Sequence, residues 1–210
     1  SGLKRFPESP DLLRQKYYYF ANQGFYRAAI DCARKYMAVI EADEKEYVTL
    51  AQLFFEANQL NQAIKILEGA KIKFPESANV DMLLGHIYMK KAMNHTAAHL
   101  FKEGAYKDKK YLKDAVEMHK RIGDYAHAIF LNAQMSDRVE KLKQKVAIFL
   151  DRGEYEKVIG VKDDLERYSI LKDDNMRYAL AYSYYMAKDY ANAEYHIKQI
   201  QVNTLFEKGT

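Results

Sequence analysis

A chain that repeats a pattern of side-chain volumes at a fixed interval is built from stacked similar units, and that recurrence constrains this sequence more than any other feature. Leu50, Ala51, Phe54, Ala63, Leu67 and Ala70 return 34 positions later as Leu84, Gly85, Tyr88, Ala97, Phe101 and Gly104. Stepping back by 34 sets Phe20 against Phe54, Gly24 against Asn58, Ala29 against Ala63 and Ile30 against Ile64. Large positions stay large and small ones stay small while identities drift, because a packed core limits volume more tightly than chemistry. A second marker fixes the phase. Gly24, Asn58, Ala92, Gly123, Gly153 and Lys188 each precede a short run ("FYRAAI", "QLNQAI", "MNHTAA", "DYAHAI", "EYEKVI", "DYANAE"), at spacings of 34, 34, 31, 30 and 35. Glycine and asparagine suit a helix end in the left-handed region. Ala92 and Lys188 suit it less, so those two elbows are expected to close differently.

Each unit then reads as two helices. The pairs are Pro10–Gln23 with Tyr26–Ile40, Glu44–Ala57 with Leu60–Phe74, Ala78–Lys91 with His95–Ala105, Tyr111–Ile122 with Tyr125–Gln134, Arg138–Arg152 with Glu154–Arg167, and Asp174–Ala187 with Tyr190–Gln201. Ser9 before Pro10 has the form of an N-cap with proline at the first helical position. Asp43 with Glu46, and Asp137 with Glu140, have capping-box spacing. Gly160 interrupts the last helix of the fifth unit, and Pro75 closes the second. Small residues at Ala51, Gly85, Ala63 and Ala97 let the paired helix axes approach closely. No pair buries its apolar face alone, so neighbours complete the core.

Composition agrees. Three prolines and nine glycines leave helices uninterrupted, and no Asn-Gly or Asp-Gly pair marks a β-hairpin. Hydrophobic content of 49% with 30% charge excludes a disordered chain, and a net charge of +4 makes no strong case for nucleic acid. Cys32 is the single cysteine, which excludes an internal disulfide framework and a cysteine-based metal site. No apolar run approaches the roughly 20 residues that span a bilayer. Ser1 and Gly2 read as a cloning remnant, and the whole as a piece of a longer protein. The expected organisation is a lead-in over 1–9 and a solenoid over 10–201, with units near 10–43, 44–77, 78–108, 109–138, 139–173 and 174–201. Residues 202–210 read as the start of a further helix or a C-terminal extension.

The residues Tyr47, Leu50, Ala51, Phe54, Ala63, Leu67, Ala70 and Pro75, followed by Leu84, Gly85, Tyr88, Ala97 and Phe101, fall at the places that define the tetratricopeptide repeat (TPR). The chain resembles that family firmly from about 44 to 108 and loosely elsewhere. The first unit has Lys16 and Tyr17 where Leu and a small residue are usual. The fourth and fifth units are short, and the sixth recovers with Leu180, Ala181, Tyr184 and Ala193. The resemblance implies an all-α fold, a right-handed α-α superhelical solenoid of about six helical hairpins, with a concave groove that binds peptides or protein surfaces.

In that family the first helix of each pair lines the groove. By position this implies Arg14, Tyr18 and Asn22; Val48, Gln52 and Phe55; Met82, His86, Met89 and Lys90; Lys113, Glu117, Lys120 and Arg121; and Tyr178, Tyr182 and Tyr185. The set is aromatic and thioether-bearing at both ends, with a basic middle. Family members that grip a chaperone's C-terminal carboxylate use Lys, Asn and Arg here. Arg14 is in place, but Tyr18 stands where an Asn belongs. A groove of Tyr and Met suits an apolar or amphipathic segment better. The implied function is a protein-protein interaction scaffold, with family usage favouring an envelope or secretion assembly in a bacterial cytoplasm or periplasm. The alternative is a regulatory or sensory domain of a larger protein whose catalytic or signalling domain lies elsewhere.

No constellation calls for catalysis or a cofactor. His95 and His99 stand one helical turn apart, a spacing that can present two imidazoles, but no third ligand is apparent. His86 reads as wedged between repeats, and Cys32 as a small packed residue. The pairs Asp163–Asp164 and Asp173–Asp174 read as cap and loop residues. The basic run "KDKKYLK" at 107–113 is diluted by Asp108 and Asp114 and is expected to be solvated, so the expected partner is a protein or peptide rather than nucleic acid.

Overall fold

The computed structural model describes residues 6–200. Ser1, Gly2 and the further helix expected over 202–210 lie outside them. Among the described residues every regular element is helical, and none is long and apolar enough to cross a membrane. The chain forms two compact units, the first ending at Tyr111 and the second beginning at Leu112.

The first unit holds three hairpins: α1 (Pro10–Asn22) with α2 (Tyr26–Ala38), α3 (Glu44–Glu56) with α4 (Leu60–Lys73), and α5 (Ala78–Lys90) with α6 (Asn94–Lys107). A 3-10 turn, Lys109–Tyr111, follows. The second unit holds α7 (Leu112–Arg121) with α8 (Tyr125–Ala133) and α9 (Arg138–Asp151) with the divided pair α10 (Tyr155–Ile159) and α11 (Lys162–Arg167). After a 3-10 turn, Ile170–Lys172, it ends with α12 (Asp174–Met186) and α13 (Tyr190–Ile197). Within each unit the second helix of one hairpin packs on the first helix of the next, and α5 lies beside α3, as α9 does beside α7 and α12. The break between α10 and α11 falls at Gly160, as its sequence predicts.

All six elbows close alike. Gly24, Gly123 and Gly153 take φ of +75°, +76° and +68°, and Asn58, Ala92 and Lys188 take +57°, +59° and +64°. The residue after each elbow donates its N–H to a carbonyl five positions back: Phe25 to Phe20, Gln59 to Phe54, Met93 to Tyr88, Asp124 to His119, Glu154 to Phe149, and Asp189 to Tyr184, all at 2.8–2.9 Å. The elbow residue itself donates to the carbonyl three back, as Gly24 does to Ala21 and Ala92 to Met89. This is the Schellman closure, and it satisfies carbonyls that the helix end would otherwise leave without donors. The expectation that Ala92 and Lys188 close differently is therefore corrected. The left-handed region costs a non-glycine residue about 1–2 kcal/mol, and paired hydrogen bonds plus hairpin packing outweigh that.

Five residues past each elbow, the second helix presents Ala29, Ala63, Ala97, Ala128, Val158 or Ala193, all buried. The facing first-helix positions, seven residues before the elbow, are Tyr17, Ala51, Gly85, Val116, Val146 and Ala181, also buried. The first-helix residue ranges from glycine to tyrosine, and between the second and third hairpins the core volumes trade. Where the second hairpin has Ala51 and Leu67, the third sets Gly85 against the larger Phe101. A Cβ added to Gly85 would lie 3.0 Å from two Phe101 ring carbons.

Caps follow sequence with two exceptions. Asp43 accepts from the Lys45 and Glu46 N–H groups while Glu46 reaches back to the Asp43 N–H, a complete capping box. Asp137 accepts from Val139 and Glu140, but the Glu140 side chain turns instead to Lys113, so the second box is half formed. Ser9 makes no side-chain cap bond, and Pro10 alone marks the start of α1.

Candidate partner-binding surface

In the first unit, the first helices place Arg14, Tyr18, Asn22, Gln52, His86 and Lys90 on exposed surface, with Val48, Phe55 and Met89 half-buried. The Arg14 guanidinium lies 5.9 Å from the Tyr18 ring centre, and Tyr18 packs on Tyr17 at 4.4 Å between ring centres. A hydrogen bond with Tyr17, joined by Arg14, holds the Tyr18 phenol below its usual range. Lys90 Nζ sits 4.4 Å above the Phe55 ring, so candidate residues of the second and third hairpins meet. Gln52 donates to Glu56 at 2.7 Å. His86 is not wedged between repeats. Its ring stands edge-on to Phe101 of its own hairpin, 4.9 Å away, on an exposed face.

Met82 is corrected. It is only 4% exposed and is core, not lining. The physical reason is Gly104, where an added Cβ would lie 2.9 Å from Met82 Sδ. In the preceding hairpin the places of Gly104 and Met82 are taken by the buried Ala70 and the half-buried Val48.

In the second unit the basic middle is matched by acids, two of which, on α9, a position-by-position reading does not reveal. Lys113 pairs with Glu140 at 3.1 Å, and Lys120 pairs with Glu117 at 3.1 Å and Asp151 at 3.7 Å. Glu140 and Asp151 come from α9, beside α7, and Gln144 of α9 donates to the Lys113 carbonyl at 3.0 Å. Arg121 is exposed. At the end of the unit, Tyr178 and Tyr182 stack one turn apart, 6.5 Å between centres and 15° between planes. Tyr155 of α10 meets Tyr182 edge-on at 5.8 Å, and their hydrogen bond pushes the Tyr155 phenol up. Tyr185 meets Tyr190 at 5.7 Å. Tyr182 and Tyr185 are 40% and 58% exposed. These rings are held by one another while presenting open faces.

The other singled-out residues take structural places. Cys32 is buried. His95 and His99 are both exposed, and no third donor joins them among the described residues. Asp164 pairs with Arg167 at 3.1 Å, and Asp173 caps α12 and pairs with Lys143 at 2.9 Å. In the basic run, Lys107 pairs with Asp81, Lys110 with Asp108 and Lys113 with Glu140.

Sequence reasoning missed one cluster. His119, Asp124 and His127 gather at the fourth elbow, with Asp124 Oδ2 lying 3.1 Å from His119 Nδ1 and 2.8 Å from His127 Nδ1. Burial would raise the Asp124 carboxyl, but hydrogen bonds from His127 and His119 outweigh it and hold it below its ordinary value. The signal was present in the elbow frame. Four residues before each elbow stand Phe20, Phe54, Tyr88, His119, Phe149 and Tyr184, an aromatic series in which one member is histidine.

Paired helices with six identical elbows and small buried residues in a common phase decide the architecture. The fold is that of the tetratricopeptide repeat proteins. Among solved structures, the C-terminal part of a TPR repeat-containing protein from Cytophaga hutchinsonii superposes with a TM-score of 0.76 at 13% identity, covering 98% of this chain and 90% of that one. A TPR protein from Parabacteroides merdae gives 0.67 at 14% identity, covering 91% and 78%. YrrB, described as a TPR protein with an unusual peptide-binding site, gives 0.63 at 14% identity, covering 84% and 96%. No protein-family model matches the chain, and no curated protein matches it.

Proposed function

We propose that this TPR chain is a protein-protein interaction module, not an enzyme, that takes up a polypeptide segment of a partner on the exposed face of its first helices. The observation that carries this reading is the tyrosine cluster of the last hairpin, Tyr178, Tyr182 and Tyr185 with Tyr155. Tyrosine offers a large, rigid contact area with a polar tip and few torsions to freeze, which makes it effective in recognition. Mutual ring contacts fix the rotamers in advance and lower the entropy lost on binding. The peptide-binding site of YrrB supports the reading at the level of shared fold. In the first unit Arg14, Tyr18, Asn22, Phe55 and Lys90 would extend the same use. The paired state of Lys113 and Lys120 favours an apolar or amphipathic segment over an acidic tail. Family usage alone supports an envelope or secretion assembly as its setting.

A pull-down with the source organism's lysate, read by mass spectrometry, tests the assignment. Tyr182→Ala should lower recovery of a specific partner at least tenfold, since a centrally placed aromatic anchor is worth about 2 kcal/mol or more. Its helical circular dichroism should be unchanged. Equal recovery with wild type and variant would remove the tyrosine face from the proposal.

A further inference from the structure

The fourth elbow carries three metal-ligating side chains where the other elbows carry none in that combination. We propose that His119, Asp124 and His127 form a binding site for a divalent transition ion of the zinc class, which would tie the last turn of α7 to the first turn of α8.

The backbone prepares the site. The Asp124 N–H donates to the His119 carbonyl at 2.9 Å, and Gly123 turns the chain at φ +76°, so ligand-bearing residues five apart are brought face to face. Asp124 divides its carboxylate. Oδ1 accepts from the His127 N–H at 3.3 Å and caps α8, while Oδ2 faces both imidazoles. The ring centres lie 5.1 Å apart, and one donor atom from each residue falls within 4.8 Å of the others. Among the described residues, this is the group of histidine and carboxylate side chains that meets that condition.

The distances suit an ion. With metal–ligand bonds of about 2.0–2.2 Å, tetrahedral ligands stand roughly 3.3–3.5 Å apart. The Oδ2–Nδ1 separations of 3.1 Å to His119 and 2.8 Å to His127 therefore have to lengthen, the second by roughly half an ångström, each hydrogen bond to the carboxylate being given up. The mutual separation of the two Nδ1 atoms has to settle near the same value. His119 is 4% exposed and fixed, whereas His127 is exposed and can make the adjustment. The same open side gives an entry path and leaves the remaining coordination positions to water. Two imidazoles and one carboxylate favour zinc, cobalt or nickel over calcium and magnesium, which prefer oxygen alone.

The sixth elbow is an internal control. Asp189 occupies the place of Asp124 and caps α13 in the same way, accepting from the Asn192 N–H at 3.2 Å and from its side-chain amide at 2.7 Å. Tyr184 and Asn192 stand there in place of His119 and His127. Capping alone thus accounts for the aspartate, and it requires neither histidine.

The test uses the full chain without a histidine tag, stripped with a chelator and dialysed. Calorimetric titration with zinc chloride should find one site, cobalt should give visible d–d absorption of a low-coordinate centre, and zinc at a hundredfold excess over Kd should raise Tm by about 5–10 °C. His127→Ala, at an exposed position, should weaken zinc binding at least tenfold and abolish the Tm rise while the dichroism spectrum stays that of wild type. Asp124→Asn, which keeps the helix cap, should also weaken binding. The double variant His95→Ala/His99→Ala should bind as wild type does. Zinc binding that is absent from wild type, survives His127→Ala, or disappears with His95 and His99 would overturn the proposal.

Discussion

The second and third hairpins share one backbone frame and solve its packing problem with different chemistry. At the same position of the first helix, the second hairpin has Tyr47 and the third has Asp81. At the same position near the end of the second helix, both have a lysine, Lys73 and Lys107. In the second hairpin the ammonium lies 5.4 Å from the Tyr47 ring centre and 5.3 Å from that of Phe74. In the third it pairs with Asp81, whose side chain is 0% exposed and also binds Lys71 at 2.6 Å. One cation is thus held by aromatic faces and the Ala42 carbonyl, at 2.9 Å, in one repeat and by a buried carboxylate in the next. The core positions compensate in the same manner: Gly85 against Phe101 stands where the second hairpin has Ala51 and Leu67, and Gly104 against Met82 where it has Ala70 and Val48. The frame conserves the sum of volumes and the presence of a counterpart for the lysine, and leaves the identities free.

The largest expected difference follows from the lysine's counterpart. Removing one member of a buried ion cluster leaves charge without compensation and typically costs about 3–5 kcal/mol. Lys71 and Lys107 both retain some access to water, which places Asp81→Ala at the low end, about 3 kcal/mol, in equilibrium urea unfolding followed by circular dichroism. Tyr47→Leu in the second hairpin loses a partly exposed cation–π contact worth about 0.5–1 kcal/mol. If the two substitutions cost the same, the carboxylate of the third hairpin is not an internal tie and the contrast between the repeats collapses.

Volume compensation predicts a coupled effect of intermediate size. Gly85→Ala restores the residue that the second hairpin carries, yet sets a methyl group 3.0 Å from the buried Phe101 ring. Overpacking of this kind costs about 1–3 kcal/mol, partly offset by alanine's better helix propensity, so a net loss of about 1 kcal/mol is expected. Adding Phe101→Leu completes the second hairpin's pair in the third. A double-mutant cycle should then show that Gly85→Ala is tolerated or stabilising beside leucine. A strictly additive result would mean that the glycine is not there to admit the ring.

These contacts also separate what the letters disclose from what they hide. The positions of the elbows, the small buried residues and the break at Gly160 were legible because they answer to local backbone geometry and to volume, both of which recur in phase, whereas the common closure at Ala92 and Lys188 was not. The burial of Met82 was not. Position by position it stands on the same helix face as Val48, and only the glycine at 104, on the other helix, makes room for it. Glu140 and Asp151, which pair with Lys113 and Lys120, were hidden for a similar reason, since they belong to the neighbouring hairpin. His119 escaped because the interval between elbows shortens to 31 and 30 there, so a fixed step of 34 slides past the aromatic slot it fills. Counting from the elbow rather than by a constant interval recovers it.

The elbows themselves give the smallest and most discriminating contrast. The second hairpin turns at Asn58 and the third at Ala92, with nearly equal φ of +57° and +59° and matching backbone bonds. Asparagine visits the left-handed region more readily than alanine, because its side chain can hydrogen-bond locally, whereas alanine bears the Cβ–carbonyl clash without relief. Ala92→Gly removes that clash at an exposed position and should stabilise the protein by about 1 kcal/mol. Part of the gain is returned because glycine has more freedom to lose on folding. Asn58→Gly should change stability by less than half as much. Measured side by side in urea, a larger gain at 92 than at 58 ties the strain to alanine. Equal gains would mean that both elbows carry the same strain and that the closure is indifferent to which non-glycine residue occupies it.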